Sequence, residues 1–370
     1  MNDRPSPATS LPIPTSLAEI TPSWLTRALS GGGMLEGAEV VACSPETIAE
    51  GKGFMNRVFL LHLEYDRPGP GLPATVLAKL PAIDPLMLPL FHLLGPNLRE
   101  VNFFRSLSWD CVLRTPVCYC GLADSATGNS ALLLEDLGRS RQGDSLAGCS
   151  LDEARQIVRQ LAAFHAQWWE SPRLARLDWL PSRETEALAF RKLYEPARQS
   201  FLEKAGDLMP PGLRQLADSL PGHIARIKAL LSKPPRTIVH GDFRLDNCYF
   251  PSGVGSPSPL VLDWEFCGIG RGALDLATFV CEILPPAQRR REERGLLAEY
   301  HSALESGGVT GYSIEQCWID YRLSLLDIFA LWIVSGAFCD YSGLRATTFL
   351  SNTLARLDAA ISDHSPLDLL

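Results

Sequence analysis

The chain changes character near Gly148, and this change limits the folds that it can adopt. Before Gly148, runs of β-branched and large apolar residues alternate with Gly and Pro clusters, a pattern that predicts an antiparallel sheet. The predicted order is three strands, a helix over about 93–107, and two more strands. After Gly148, apolar residues repeat at helical spacing, behind a capping box of Ser150 and Glu153. The sequence therefore predicts an α+β protein with a small N-terminal antiparallel sheet, one helix beside it, and a larger, mainly helical C-terminal region.

This division predicts three segments. Residues 1–19 are expected to form a flexible leader. Residues 20–137 are predicted to form an N-terminal lobe, and residues 138–370 a larger C-terminal lobe. A chain of 370 residues is long enough to bury two such cores.

The most informative motif is IVHGDFRLDNCYF. Apolar strand residues lead into His240, Gly241 and Asp242, and Asn247 follows five positions after the Asp. This spacing is typical of the catalytic loop of kinases, in which the Asp orients the acceptor hydroxyl and the Asn binds a metal ion. We therefore interpret Asp242 as the catalytic base and Asn247 as a metal ligand. His240 is interpreted as a hydrogen-bonding support, because the pattern leaves the acceptor proton to Asp242.

A second carboxylate follows sixteen residues after Asn247, where the apolar strand of LVLDWE ends at Asp263. A turn rich in Gly, Ser and Pro separates the two strings, so a hairpin would bring them together. Asp263 is therefore the predicted second metal ligand. The alternative is that these carboxylates only cap strand ends or pair with a nearby Arg. Phosphoryl transfer needs mainly positioning and charge neutralisation, so the two strings together favour the chemical interpretation.

Arg244 lies two residues after the predicted base. A cation at this position is suited to contact the transferring phosphoryl oxygens, which would make Arg244 catalytic. The alternative is a local ion pair with Asp246 or Glu265. An exposed pair contributes only ~0 to 1 kcal/mol, so the sequence does not favour either interpretation.

Three strings make the chain resemble the aminoglycoside phosphotransferase and choline kinase superfamily over about residues 20–365: HGDFRLDN, DWEFCGIGRGALDLATFV and LAAFHAQWW. The resemblance is strongest to its ecdysteroid-kinase-like and bacterial phosphotransferase branches. It implies a two-lobed, protein-kinase-like fold, with a nucleotide-binding N-terminal lobe and a C-terminal lobe for catalysis and acceptor binding. It also implies ATP as the phosphoryl donor, Mg²⁺ as the cofactor and a small-molecule hydroxyl compound as the acceptor. Asp275 and His165 match residues that support the catalytic region.

In the N-terminal lobe, the same resemblance implies a strand Lys that binds the α and β phosphates and a helix acid that holds it. Lys79 in VLAKL and Glu100 in LREVNFF match these positions. A Lys at the end of an apolar strand is costly without a partner, and Glu100 lies on the following predicted helix, where it can supply one. The alternative is a solvated Lys at a strand end.

The phosphate-binding loop is the least specific part of the resemblance. The string EGKGFMNRV contains Gly51 and Gly53 but lacks the GxGxxG pattern of protein kinases, so an ordinary hairpin turn is the alternative. Residues from Gly53 to Asn56 are the predicted phosphate contacts. The string ALLLEDL resembles the segment that joins the lobes, where backbone groups near Glu135 and Leu137 are expected to meet adenine.

These features predict a kinase that transfers the γ-phosphoryl group of ATP to a hydroxyl group of a small molecule. The string WIDYRLSLLDIFALWIVSGAFCDY is richer in apolar residues than one buried face requires, which favours a partly apolar acceptor such as a sterol, macrolide or hydroxy-acyl compound; a helix buried on all sides is the alternative. One rival function is a catalytically inactive, nucleotide-binding pseudokinase. A protein kinase is disfavoured, because only eleven residues separate Asp263 from Asp275 and no Ala-Pro-Glu-like segment follows.

Composition excludes several partners. Lys and Arg total 34 against 42 Asp and Glu, and the resulting formal charge of -8 would repel a nucleic-acid backbone. The longest uncharged apolar stretch lies between Asp327 and Asp340, shorter than the ~18 to 20 residues of a membrane helix, so no membrane partner is expected. Ten cysteines without CxxC spacing, and a start without an export signal, indicate a cytoplasmic protein.

Overall fold

The computed structural model describes residues 11–31, 34–48, 56–81, 93–138, 140–251 and 258–370. The chain divides into two compact units, Met1–Asp110 with Thr115–Arg139 and Cys111–Arg114 with Ser140–Leu370. The first unit contains a β-sheet, and the second is mainly helical, as the sequence predicted. No helix within the described ranges is long and apolar enough to cross a lipid bilayer.

The sheet of the first unit has five antiparallel strands in the order β1-β2-β3-β5-β4. Their bounds are β1 Val40–Thr47, β2 Asn56–Tyr65, β3 Thr75–Pro81, β4 Cys118–Ala123 and β5 Ser130–Glu135. Helix α2, Pro96–Ser106, connects β3 to β4 in the chain order and packs against β4 and β5. In β3, buried and half-buried residues alternate, so Val76 and Ala78 face the core while Lys79 lies on the opposite face.

A short helix, α1 (Pro22–Ser30), closes the core of the first unit. Its N-cap is the predicted one, because Thr21 Oγ1 accepts a hydrogen bond of 3.2 Å from the backbone N–H of Trp24. The Trp24 indole N–H donates to the carbonyl oxygen of Pro12 at 2.8 Å. Residues 11–19, which we expected to belong to a flexible leader, therefore contact this unit, and three of them pack against its core: Leu11, Ile13 and Leu17.

Eight α-helices build the second unit within its described residues. Their bounds are α3 Leu151–Trp168, α4 Arg183–Ala205, α5 Pro211–Ser219, α6 Ile224–Leu231, α7 Ala273–Ile283, α8 Pro286–Ser306, α9 Ile314–Gly336 and α10 Leu344–His364. The predicted capping box begins α3, because the Ser150 side chain accepts from the Glu153 N–H while the Glu153 carboxylate accepts from the Ser150 N–H. The predicted helical character of the region after Gly148 is confirmed.

Short strands interrupt these helices where the sequence motifs are concentrated. Strand β7 (Thr237–Val239) pairs with β10 (Gly268–Gly270), and β8 (Cys248–Phe250) pairs with both β6 (Arg141–Gln142) and β9 (Leu260–Val261). The β8–β9 pairing is the hairpin that the sequence predicted. The loop after β7 leads into β8, and β8 pairs with β9, so the residues that follow β9 lie beside the end of that loop.

Candidate active site

The loop that follows β7, residues 240–247, has as its second residue a glycine that no other residue can replace without strain. Gly241 has φ +84°, a conformation that L side chains rarely adopt. A Cβ at this position would overlap the carbonyl oxygen of Phe266 and lie 2.7 Å from Nη2 of Arg183. The glycine of the His-Gly-Asp motif therefore allows the loop to pass close to the backbone at Phe266.

His240 is fully buried and uses both ring nitrogens within the protein. Its Nε2 donates to the carbonyl oxygen of Leu262 at 2.8 Å, and its Nδ1 accepts from the backbone N–H of Asp242 at 3.3 Å. These partners assign the neutral tautomer with the proton on Nε2. With both nitrogens engaged, the ring can link β9 to the loop but has no free position for proton transfer.

Asp275, at the start of α7, holds the loop through hydrogen bonds. Its carboxylate accepts from the backbone N–H groups of His240 at 2.6 Å and Gly241 at 2.9 Å, and from Nε2 of His165 at 3.2 Å. Burial raises the pKa of Asp275, but the hydrogen bonds from His165 and from the Gly241 N–H outweigh it, so the pKa lies below its usual value. The carboxylate therefore stays ionised within the core.

His165 is itself held by a residue that sequence reasoning did not single out. Its Nδ1 lies 2.6 Å from the hydroxyl of Tyr300 in α8, and both side chains are fully buried. A Cβ at Gly272 would lie 2.5 Å from this hydroxyl and 2.7 Å from Nδ1 of His165. Gly272 therefore leaves the room that the pair requires.

The predicted base and its neighbours meet within the loop. Asp242 Oδ1 lies 2.9 Å from Nε of Arg244, and the two side chains are 20% and 16% exposed. Asn247 donates from Nδ2 to the backbone carbonyl of Asp242 at 2.9 Å and to its Oδ2 at 3.3 Å. The ion pair that we had considered for Arg244, with Asp246 or Glu265, is replaced by one with Asp242, because the loop turns back on itself through these hydrogen bonds.

Nearby carboxylates keep the guanidinium of Arg244 protonated. Burial alone lowers the pKa of Arg244, but the surrounding carboxylates, Asp242 first and then Asp246 and Asp263, raise it well above its usual range. The guanidinium is thus a permanent cation beside the predicted base.

Asp263 lies two residues after the end of β9, on the segment beside Asn247. The N–H of Leu262 donates to the backbone carbonyl of Asn247 at 2.9 Å, which brings the two predicted metal ligands onto adjacent segments. Asp263 has φ +66°, a left-handed conformation that directs the chain into a 3₁₀ turn, Trp264–Phe266. Because Asn247 turns Nδ2 toward Asp242, its amide oxygen points away. A carboxylate and an amide oxygen are hard donors that suit Mg²⁺, so the residues fit the predicted ion.

In the first unit, Lys79 and Glu100 form an ion pair. The Nζ of Lys79 lies 2.7 Å from Oε2 of Glu100, and their side chains are 15% and 3% exposed. A buried carboxylate on α2 thus partners the Lys on β3, and the alternative of a solvated Lys is wrong. The nucleotide-binding role of this pair stays a prediction.

The other predicted nucleotide contacts lie at strand ends of the first unit. Asn56 is the first residue of β2 and is buried, whereas Gly53 lies outside the described residues. The N–H of Glu135 donates to the carbonyl of Val117 at 2.8 Å. The carbonyl of Glu135 and the backbone groups of the half-buried Leu137 therefore remain as the candidates for adenine contact.

A small pocket in the second unit opens beside Asp242. Helix α9 contributes Asp327, Leu331 and Trp332 to its wall, and α7 contributes Glu282. Its free volume is about 20 Å³, enough for about one water molecule. Polar and apolar groups thus converge next to the predicted base.

Sequence reasoning missed Glu282, although a signal was present. Glu282 lies seven residues after Asp275, two helical turns along α7, in a helix whose other side chains are almost all apolar. A carboxyl group at that spacing faces the same side as Asp275, so it could have been placed near the loop.

Residues 74–307 match the model of the phosphotransferase enzyme family (APH). No protein with curated annotation matches the chain.

Solved structures resemble the fold at low sequence identity. Choline kinase LicA from Streptococcus pneumoniae is 15% identical, with 90% of this chain and 96% of that chain covered and a TM-score of 0.53. The ethanolamine kinase of Plasmodium vivax is 13% identical, with 87% and 83% covered and a TM-score of 0.52. The choline kinase of Cryptosporidium parvum is 11% identical, with 88% and 92% covered and a TM-score of 0.52. The family match, which covers more than half of the chain, shows that the chain belongs to the phosphotransferase enzyme family, and the solved structures show that it has their kinase-like fold.

Proposed function

We propose that the protein transfers the γ-phosphoryl group of ATP to a hydroxyl group of a small molecule. The observation that carries this proposal is the placement of Asp242, Asn247 and Asp263. The Asn247 side-chain amide donates to the backbone carbonyl of Asp242, and Asp263 follows Leu262, whose N–H donates to the backbone carbonyl of Asn247. This is the donor set that phosphoryl transfer to an alcohol requires, a base and two oxygen ligands.

Asp242 acts on the acceptor. As the acceptor oxygen forms its bond to the γ-phosphorus, the bond from that phosphorus to the β–γ bridging oxygen breaks, ADP leaves, and the hydroxyl proton passes to Asp242. The guanidinium of Arg244 lies beside this carboxylate, with Nε 2.9 Å from Oδ1. Its Nη groups are then the candidates for contact with the phosphoryl oxygens, which would offset the negative charge there.

Asn247 and Asp263 would hold Mg²⁺ through their side-chain oxygens. When bound, this ion neutralises charge on the β and γ phosphates of the nucleotide. The protein's part is to keep the two oxygen donors in place, which the hydrogen bond from Leu262 to Asn247 does through the backbone.

The first unit would contact the nucleotide. Lys79, held by Glu100, is suited to bind the α and β phosphates, as the family resemblance implies. Glu135 and Leu137 would offer backbone groups to adenine, and Asn56 would contact a phosphate.

The acceptor is proposed to have a partly apolar body. Helix α9 is buried on most sides by α4, α6, α7 and α10, so its apolar character alone is explained by packing. The observation that supports an apolar acceptor is that Ile328, Leu331 and Trp332 of this helix line the pocket that contains Asp242.

The test is ADP release with a panel of acceptors, using ATP and GTP in turn. The panel contains choline, ethanolamine, an aminoglycoside, and uncharged alcohols with an apolar body. We expect ADP formation that requires both Mg²⁺ and an acceptor, and that Asp242→Asn removes. Nucleotide binding without transfer to any acceptor would favour the inactive pseudokinase instead.

A further inference from the structure

Glu282 is a buried carboxyl group of the pocket that the proposed mechanism leaves unused. It lies on α7, is only 2% exposed, and lines the same pocket as Asp242. Buried carboxyl groups are rare unless they are paired, so a role is expected for one beside the predicted base.

Within the described residues, one of the two carboxyl oxygens of Glu282 has a hydrogen-bond partner and the other has none. Its Oε1 accepts a hydrogen bond of 3.1 Å from the indole N–H of Trp332. Its Oε2 is buried and has no hydrogen-bond partner within the part of the chain that the structure describes. Leaving a buried polar atom unsatisfied costs about 1 to 3 kcal/mol, and such a cost is common where a ligand supplies the missing bond.

The other charged groups around the pocket are paired with one another. Arg183 contacts Glu186 at 2.8 Å, and Lys228 contacts Asp327 at 2.8 Å. Asp242 is paired with Arg244, as described above. The pocket therefore has no net charge left for a cationic acceptor to neutralise, provided that Glu282 is protonated.

Protonation of Glu282 follows from its surroundings. No Arg, Lys or His among the described residues forms an ion pair with its carboxyl group. Burial, together with the charges of Asp242 and Asp246, raises the pKa of Glu282 to about 8, although Arg244 and the Trp332 hydrogen bond act in the opposite direction. From α10, Arg356 donates to the backbone carbonyls of Glu282 and Ser145 rather than to the Glu282 carboxyl group. At neutral pH the group is therefore mainly a carboxylic acid, which can donate as well as accept a hydrogen bond.

We propose that Glu282 determines acceptor specificity: its Oε2 forms a hydrogen bond with a second oxygen of an uncharged acceptor, next to the hydroxyl that Asp242 deprotonates. This inference rests on the proposed function, because Asp242 must be the base. The acceptor class is an uncharged diol or polyol with an apolar body rather than an amino alcohol. The free volume of about 20 Å³ admits one hydroxyl group, so only the second oxygen of the acceptor enters beside Glu282 and the rest of the acceptor lies outside.

Two probes with one carbon skeleton test this class. They are 3-phenylpropane-1,2-diol and 2-amino-3-phenylpropan-1-ol, which differ only in an OH or an NH₃⁺ group. Binding is measured by ligand-observed NMR at pH 7 with Mg²⁺ and a non-hydrolysable ATP analogue. We expect the diol to bind at least tenfold more tightly than the amine. Equal binding of the two probes, or no binding of the diol, overturns the inference.

Variants at Glu282 connect this preference to its carboxyl group. Glu282→Leu should weaken diol binding by about 10- to 100-fold, because it removes the hydrogen-bonding group. Glu282→Gln, which keeps an acceptor for Trp332 and a donor for the diol, should bind within a few-fold of the wild type. Glu292→Leu, on α8 outside the pocket, is the matched control and should change nothing. Unchanged diol affinity in Glu282→Leu overturns the inference.

A measurement on the protein without any acceptor makes the test independent of the two probes. The indole N–H of Trp332 reports on Glu282 directly, and ¹⁵N-labelled Trp, assigned with Trp332→Phe, makes its resonance visible. We expect this resonance to shift with pH near 8 in the wild type and to stay constant in Glu282→Gln. A Trp332 resonance that does not shift with pH in the wild type overturns the inference.

Calorimetry of Mg²⁺-ATP is run in parallel. If the wild type does not bind Mg²⁺-ATP, the proposed function fails. Binding of Mg²⁺-ATP without diol preference rejects only the inference on Glu282.

Discussion

The side-chain amide of Asn247 donates a 2.9 Å hydrogen bond to the backbone carbonyl of Asp242. One bond thus fixes the distance between the predicted base and the predicted metal ligand, and it turns the Asn247 oxygen away from the base. Because the bond uses the backbone of Asp242, substitution of the Asp242 side chain should leave the metal ligand in place. The two roles can therefore be separated by mutation.

Asp242→Asn is expected to leave Mg²⁺-dependent ATP binding nearly intact and to lower turnover by ~10²- to 10⁴-fold, the usual contribution of a positioned base, or about 3 to 5.5 kcal/mol of barrier. Calorimetric titration of ATP with and without Mg²⁺, followed by steady-state kinetics, measures both effects. Loss of Mg²⁺-linked binding in this variant would mean that Asp242 is a metal ligand instead.

Asp263→Asn is expected to remove the Mg²⁺ dependence of ATP binding along with turnover, because a neutral amide binds the ion less strongly than a carboxylate. Asn tolerates the left-handed conformation at this position (φ +66°), so the backbone should keep its path. The same titration is the measurement. An Mg²⁺ effect as large as that of the wild type would exclude Asp263 as a ligand.

Lys79 and Glu100 are expected to act as a unit on the nucleotide. Lys79→Ala should lower kcat/KM for ATP by roughly 10- to 100-fold, or about 1.4 to 2.7 kcal/mol, and adding Glu100→Ala should cost little more, because groups in one ion pair are not additive. A double-mutant cycle measures this coupling. As a control, Arg198→Ala breaks a partly exposed ion pair with Asp218 in the second unit and should leave kcat/KM unchanged. Fully additive losses would show that the 2.7 Å contact of Lys79 with Glu100 has no part in ATP use.

Gly241→Ala is expected to destabilise the protein by about 2 kcal/mol or more, because it combines backbone strain at φ +84° with a collision at the Phe266 carbonyl. Chemical unfolding measures the difference. Gly295→Ala is the matched control: Gly295 lies within α8 with open space around its Cα, so Ala there should stabilise by up to about 1 kcal/mol. Equal effects of the two substitutions would contradict the tight approach at Gly241.

Asp275 should contribute stability that depends on pH. Its pKa in the folded state lies below the ordinary value of 3.8, so the contribution is fully present above the unfolded pKa and is lost as pH falls through the folded pKa. Asp275→Asn should lower the free energy of unfolding by about 3 kcal/mol at pH 7, since charge-assisted hydrogen bonds are lost. This difference should shrink below about pH 4, which urea unfolding at several pH values would measure. A difference that stays constant down to pH 2.5 would argue against an ionised Asp275.

Local signals made much of the fold and of the catalytic loop predictable. Thr21, Ser150 and Glu153 were recognised as caps because capping depends on neighbours within three residues. The β8–β9 hairpin was predictable for the same reason, and it places Asp263 beside Asn247. Contacts between distant segments were harder to predict: the Arg244 partner depended on how the loop folds back, and nothing in the sequence pairs His165 with Tyr300. Glu282 was missed because its place beside Asp242 depends on which wall of the pocket α7 forms.

The hydrogen bonds of Asp275 bear on which step would limit the rate of turnover. They join His240 and Gly241 to a helix of the same unit, so the geometry around Asp242 is set by the protein's own core. An active centre with a fixed geometry needs little reorganisation when charge develops in the transition state. The slow step of a turnover would then be exchange of product for substrate at the pocket rather than assembly of the loop, and temperature or viscosity should affect the rate through that exchange.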